Sequence, residues 1–317
     1  MVLWNDLAGR PRRLAAWCAT AATGLGLAYL AAAGAPLAYL AVNTAALLIG
    51  FLAVGILAMG PRLGEVANGI IAIALAAALL LTSLFGVSAE GVTRWLSAGG
   101  LLVQPSLLLL PLLALRFACS RDSLSTLAIL IAAIALALQP DRAMAGALAA
   151  GMAALALLRP DRNTLFAAVA GLAGFAATML RPDPSPAMPF VDQIFYSSFA
   201  VHPLAGVAVL AGAALMLVPA FVGLRRDPAN RALYVVFGMV WLASIAAAAL
   251  GNYPTPLVGY SGSAIAGYLL SLMGLPARIQ GERLRTGATA SSLIEHRPPA
   301  PRSRWSLFIA PASRAVN

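Results

Sequence analysis

Long apolar stretches alternate with short polar ones along this chain, and each apolar stretch approaches the length of a membrane span. Ten of them follow one another, at 14–33, 36–59, 66–87, 101–118, 123–138, 143–158, 164–180, 197–224, 232–251 and 256–275. A helix needs about 20 apolar residues to cross the hydrocarbon core. The pattern therefore predicts an all-α, polytopic membrane protein of about ten transmembrane helices. Several stretches are short, and the adjacent ones at 123 and 143 are the hardest to divide. An even number of spans returns both termini to one side.

Composition narrows the class. Of 317 residues, 61% are hydrophobic and 10% charged, and the mean hydropathy is +0.87. A soluble domain of this size could not cover so much apolar surface with so few charges. The net charge of +10 invites a nucleic-acid reading. Its distribution excludes one, because no basic helix carries interleaved aromatics and no zinc or dinucleotide-binding spacing is present. Cys18 and Cys119 have neither the spacing nor the location of a disulfide or a metal site. The first apolar stretch is too long for a signal-peptide core and reads as a retained span.

Arginine placement tests the span count. All 21 basic residues are arginine. With the N-terminus inside, 18 of them, among them Arg62, fall on the cytoplasmic side, and only Arg94, Arg142 and Arg181 fall outside. This is the asymmetry of the positive-inside rule, and a missed span would scramble it. Both termini are thus expected in the cytoplasm. Residues 1–275 read as the transmembrane domain. Residues 276–317 read as an Arg/Pro/Ser-rich cytoplasmic tail without fixed structure, its 305–310 run suited to the anionic lipids of the inner leaflet. Small residues recur in the spans, as at Gly24 and Gly26, Gly146 and Gly151, and Gly171 and Gly174. They let helices approach closely, which is packing and not chemistry.

Four polar islands, 91–106, 139–142, 181–192 and 252–263, fall on the outer side. Polar groups at the edge of hydrocarbon are expensive, so four on one side suggest a single outward-facing site. Bland readings stand beside this one. An interfacial Arg94 and Trp95 suit an ordinary loop, Asp141 suits a helix cap after Pro140, and the hydroxyls of Tyr260, Ser261 and Ser263 suit a helix start. His202, ten residues after Asp192, lies roughly 15 Å away if the helix is continuous. It reads as an interface residue before Pro203.

The islands resemble the FtsW/RodA group, the SEDS family. Members carry Gly-x-x-Arg-Trp-x-x-x-Gly and then Gln-Pro-Ser-Glu; this chain has Gly91, Arg94, Trp95, Gly99, Gln104, Pro105 and Ser106, with Leu107 where Glu is usual. Gln139-Pro140-Asp141 is similar to the family's Gln/Glu-Pro-Asp motif. Asp192-Gln193-Ile194-Phe195-Tyr196 is similar to its Asp-Phe-Ile-Phe-Ala element, but the acidic pair that usually follows is replaced by Ala200 and Val201. The long outer loop before that Asp is reduced to about 181–191. The run from Pro256 to Ala264 resembles Pro-Leu-Pro-Phe-x-Ser-Tyr-Gly-Gly-Ser, departing from it at Gly259 and Ser261.

The resemblance implies a divergent, shortened peptidoglycan glycosyltransferase of the bacterial inner membrane, serving cell division or cell shape. The substrate implied is lipid II, an undecaprenyl pyrophosphate-linked sugar. Asp192 is implied as the catalytic carboxylate. Arg94, Trp95, Gln104, Ser106, Asp141, Arg142, Arg181, Tyr260, Ser261 and Ser263 are implied as substrate-binding. A sugar hydroxyl is a poor nucleophile at neutral pH, so a general base is apt. Burial would raise the pKa of Asp192 and a helix N-terminus would lower it; sequence leaves that balance open. No cofactor is identified; a divalent cation is compatible with pyrophosphate chemistry, although no ligand cluster is visible. Membrane lipids and a single-span class B penicillin-binding protein are the implied partners, and no nucleic acid. Two rivals stay open: a non-catalytic scaffold or precursor binder, favoured by the lost loop and acidic pair, and a flippase, disfavoured by the lack of ionisable residues in mid-span.

Overall fold

The computed structural model describes residues 6–61, 64–89, 92–183 and 186–279. Arg62, Gly91 and residues 280–317, most of the expected tail, lie outside the described residues. Ten helices of ten residues or more are present among the described residues. They are α1 (Pro11–Ala32), α2 (Leu37–Met59), α3 (Glu65–Phe85), α4 (Pro105–Ser120), α5 (Ser123–Leu138), α6 (Arg142–Leu158) and α7 (Arg162–Met179). After a short α8 (Ile194–Val201) come α9 (Pro203–Arg226), α10 (Arg231–Leu250) and α11 (Gly262–Ser271). By length and composition five can cross a membrane, α1, α2, α3, α9 and α10, the last counted with the 3₁₀ turn before it. Four shorter helices, α4, α5, α6 and α11, are also apolar.

Local chemistry sets the boundaries. Proline opens α1, α4 and α9, where its missing N–H costs nothing. Asp122, Asp141 and Asp161 cap α5, α6 and α7 by accepting from Ser125, Met144 and Thr164 N–H groups. Three boundaries differ from expectation. Residues 101–103 are strand, not the start of a span. Val87–Ala89 (β1), Val92–Ala98 (β2) and Leu101–Val103 (β3) form an antiparallel sheet between α3 and α4. Ala98 pairs directly with Leu101, so Gly99 and Gly100, at φ 59° and 83°, make a two-residue turn that needs left-handed backbone. The expected span 197–224 is broken, because the residue before Pro203 is driven out of the helical region: His202 is extended at φ −166°, ψ 142°. Its ring nitrogen accepts from Leu204 N–H at 3.1 Å and so caps α9. The continuous helix assumed between Asp192 and His202 does not exist. The expected span 256–275 is helical only from Gly262, because Leu257 sits at φ 62° in a loop.

α4, α5, α6, α10 and α11 supply most of the buried core, including Leu113, Phe117, Ile129, Met152, Trp241 and Tyr268. α2 is the opposite case. Only Asn43 and Gly50 are buried along it, and its apolar side chains point outward as lipid-facing residues do. At the inner end, Arg12 donates to the carbonyls of Leu275 (2.7 Å) and Met273 (3.1 Å), and Ile279 N–H donates to Gly9. The start of α1 and the end of the described chain therefore share one side of the bundle. The loops that carry the polar islands meet at the other.

Candidate functional site

The four islands converge into three linked groups. The first is a buried knot. Ser106 Oγ donates to Asp141 Oδ2 at 2.6 Å, Gln104 Nε2 donates to the same oxygen at 3.0 Å, and Ser263 Oγ accepts from Gln104 N–H at 2.9 Å. Asp141 is fully buried, and its second oxygen takes the Met144 N–H. These residues join the β3–α4 junction, the start of α6 and the start of α11.

The second group holds the charges. Arg94 on β2 is 3% exposed and pairs with Asp183 at 2.9 Å. The guanidinium also lies over the rings of Trp95 (4.8 Å) and Tyr253 (5.6 Å). Tyr253 donates to the other Asp183 oxygen at 2.8 Å. Burial first, then this contact with the anion, raises the pKa of Tyr253, so it stays protonated at neutral pH. Asp183 and Tyr253 line a cleft of about 540 Å³, with Arg142, Gln193 and Asn252 as its other polar residues. Phe175, Met179, Ala247 and Leu250 give it an apolar wall. Arg142 is turned there by bonds to the carbonyls of Thr178 and Arg181. Arg181 is exposed and reaches Leu138 O at 3.4 Å.

Asp192 stands at the start of α8, beside Gln193 of the cleft. It is 9% exposed. Oδ2 accepts from Met188 N–H at 2.9 Å, while Oδ1 is buried without a hydrogen-bond partner. Burial raises its pKa above the ordinary carboxylate value; the Met188 bond and Arg94 pull it down, and Asp183 adds to the rise. The balance left open by sequence thus goes to burial. An unpartnered carboxylate oxygen is costly and marks a place where a proton or a substrate hydroxyl can be received.

The third group fixes the last loop. Asn43 on α2, fully buried, donates to Gly259 O at 2.8 Å and accepts from Ser261 N–H at 3.2 Å. Tyr260 stacks on Tyr39 at 3.9 Å, and its N–H bonds Phe190 O at 2.7 Å. Thr255 N–H bonds Val191 O at 3.0 Å, tying this loop to the residue before Asp192. Asp183, Tyr253 and Asn43 were not singled out by sequence. Asp183 lies between two prolines inside the third island, and Asn43 is the lone amide of an otherwise apolar span; both were signals of position.

No family profile and no curated protein matches the chain. Solved structures do. Rod shape determining protein RodA of Thermus thermophilus superposes with a TM-score of 0.58 at 22% identity, covering 83% of this chain and 94% of that one. A point mutant of the same protein gives the same score and identity over 95% of its chain. A chain from a peptidoglycan synthase complex, described as coordinating polymerization and crosslinking, gives 0.56 at 22% identity over 82% of this chain and 94% of that one. The fold of this chain is the polytopic helical fold of RodA.

Proposed function

We propose that this chain is a SEDS-type glycosyltransferase that polymerises lipid II at the outer face of a bacterial inner membrane, with Asp192 as general base. The observation that carries the reading is the buried Asp192 carboxylate with Oδ1 unpartnered, next in sequence to Gln193, which lines the polar cleft. The RodA fold and the ordered motifs from Arg94 to Ser263 support it.

In this reading Asp192 takes the proton from the 4-hydroxyl of one sugar as that oxygen bonds to the anomeric carbon of another. The bond from that carbon to the pyrophosphate oxygen breaks, and undecaprenyl pyrophosphate leaves. Raised proton affinity suits a base that works near neutral pH. The leaving group carries negative charge, which a positioned cation stabilises. Arg142, which lines the cleft, is placed for that task; Arg94 is buried behind Asp183 and Tyr253 and acts by holding the wall. The Gln104–Ser106–Asp141–Ser263 knot, bonded within itself, shapes the site rather than touching the sugar. The apolar wall from Phe175 to Leu250 suits the polyprenyl chain. Among the described residues no three His, Cys, Asp or Glu gather as a metal-binding group. A class B penicillin-binding protein is the partner this reading implies, in keeping with the likeness to a peptidoglycan synthase complex.

The test is to place the purified protein in lipid nanodiscs, with and without its candidate transpeptidase, and supply labelled lipid II. Glycan strands support the reading. Lipid II binding without strands in either condition points instead to a scaffold or precursor binder.

A further inference from the structure

Arg10, Arg12 and Arg13 stand together at the inner start of α1, and the first two are occupied. Arg10 pairs with Asp6 at 3.0 Å, and Arg12 donates to the carbonyls of Leu275 and Met273. Arg13 is exposed, and its guanidinium has no hydrogen-bond or ion-pair partner among the described residues. It borders a cleft of about 520 Å³ between α1 and α2, lined also by Ala16, Trp17, Thr20 and Phe51. The four α1 positions are spaced i, i+3, i+4 and i+7, so they form one face of the helix. The opposite face, with Leu14, Ala15, Cys18 and Ala19, is buried. Trp17 is 64% exposed, and Thr20 turns its hydroxyl proton to Ala16 O at 3.0 Å on its own helix. By helical rise, Arg13 and Thr20 are roughly 10 Å apart along the cleft. The cleft thus has a cation at its inner end and an aromatic, mostly apolar wall leading into the hydrocarbon.

We propose that the cleft between α1 and α2 binds an anionic phospholipid of the inner leaflet, with Arg13 holding the headgroup phosphate and one acyl chain lying along Trp17 and Phe51. A guanidinium takes two phosphate oxygens at once through its planar fork. Basic pockets between helices on the cytoplasmic side are a recurring form of anionic-lipid site. A soluble anion would satisfy Arg13 and leave the aromatic wall bare. A neutral chain would cover the wall and leave the guanidinium bare. A phospholipid does both. Charge then selects among phospholipids, because Arg13 is the one charged residue lining the cleft and no carboxylate beside it receives the ammonium of a zwitterionic headgroup. The volume lies within the range of small-molecule sites, about 300–1,000 Å³. The cleft is at the end of the bundle opposite the polar islands, so this lipid is a bound component and not the substrate of the outer site.

Trp17 makes the cleft its own reporter. Full-length protein is placed in phosphatidylcholine nanodiscs doped with an equal minor fraction of either chain-brominated phosphatidylglycerol or chain-brominated phosphatidylcholine. Bromine quenches tryptophan at short range, and Trp17→Phe identifies the share of emission that Trp17 supplies. The anionic lipid is expected to quench Trp17 with about fivefold higher apparent affinity, the preference that one cation at the membrane surface provides. Arg13→Gln removes that preference. Ala16→Leu fills the cleft without changing its charge and lowers quenching by the anionic lipid, which keeps the test available should Arg13→Gln not fold. Arg225→Gln, at another inner helix end where Arg225 stacks on Phe221, leaves the preference intact. Millimolar inorganic phosphate leaves it intact too. Equal quenching by the two lipids in wild type overturns the proposal. So does a preference that survives Arg13→Gln or Ala16→Leu, that falls equally in Arg225→Gln, or that free phosphate abolishes.

Discussion

Ser106 Oγ donates to Asp141 Oδ2 across 2.6 Å, joining two polar islands 35 residues apart in sequence. The bond is buried, and Gln104 shares its acceptor. Asp141→Ala would remove the acceptor of three hydrogen bonds at once, from Gln104 Nε2, Ser106 Oγ and Met144 N–H, and leave the last two donors without a partner. Each unsatisfied buried group costs about 1–3 kcal/mol. A clearly lowered unfolding midpoint in detergent is expected for Asp141→Ala, with a smaller loss for Ser106→Ala. Equal midpoints in all three proteins would show that the knot contributes nothing.

Asn43 makes a similar case for the last loop. Its amide closes two hydrogen bonds to the backbone at Gly259 and Ser261. Asn43→Leu removes both and should cost about 1–3 kcal/mol. Faster backbone hydrogen exchange at 256–261, with α4 to α6 unchanged, is the local signature to measure.

Asp192 carries a pH prediction for stability. Its folded pKa lies above the ordinary value because burial outweighs its partners. The folded state therefore holds this proton more tightly than the unfolded one, and stability falls as pH rises from the ordinary carboxylate range through the raised folded value. Asp192→Asn escapes that penalty. Its thermal midpoint is expected above wild type at neutral pH, with the gain vanishing below the ordinary carboxylate range. A neutral variant less stable than wild type at pH 7 would contradict the burial argument. Such a gain with loss of function is the usual cost of an active carboxylate.

Glycine packing supplies a contrast within one helix. A Cβ at Gly26 would lie 2.6 Å from Val258 Cα and 2.7 Å from its carbonyl oxygen, whereas one at Gly24 meets nothing within 4 Å. Gly26→Ala should cost about 1–3 kcal/mol by overpacking α1 against the loop of the fourth island. Gly24→Ala should be neutral or slightly stabilising in the helix. Unfolding midpoints of the two variants, measured side by side, check the difference.

Hydropathy was enough to read the bundle. The ten apolar stretches correspond to ten helices, and the inner contacts of Arg12 with Leu275 and Met273 agree with an even count. The pattern could not show where helices stop, because apolar residues serve strand and loop equally well. Leu101-Leu102-Val103 is as hydrophobic as a span and forms β3, since Gly99 and Gly100 turn the chain back on β2. Pro203 was visible, yet the apolar run across it hid the break at His202. At the site, the motif residues Gln104, Ser106, Asp141 and Ser263 do come together. The pairing of Arg94 with Asp183 was not legible. It joins residues 89 positions apart through a loop whose path sequence does not specify.

The most direct measurement is glycan-strand formation from labelled lipid II by wild type and Asp192→Asn, both in nanodiscs and both shown to be folded. The account predicts strands from wild type and none above background from the variant, although the variant binds lipid II and unfolds no earlier. Equal strand formation by the two proteins would contradict Asp192 as the base.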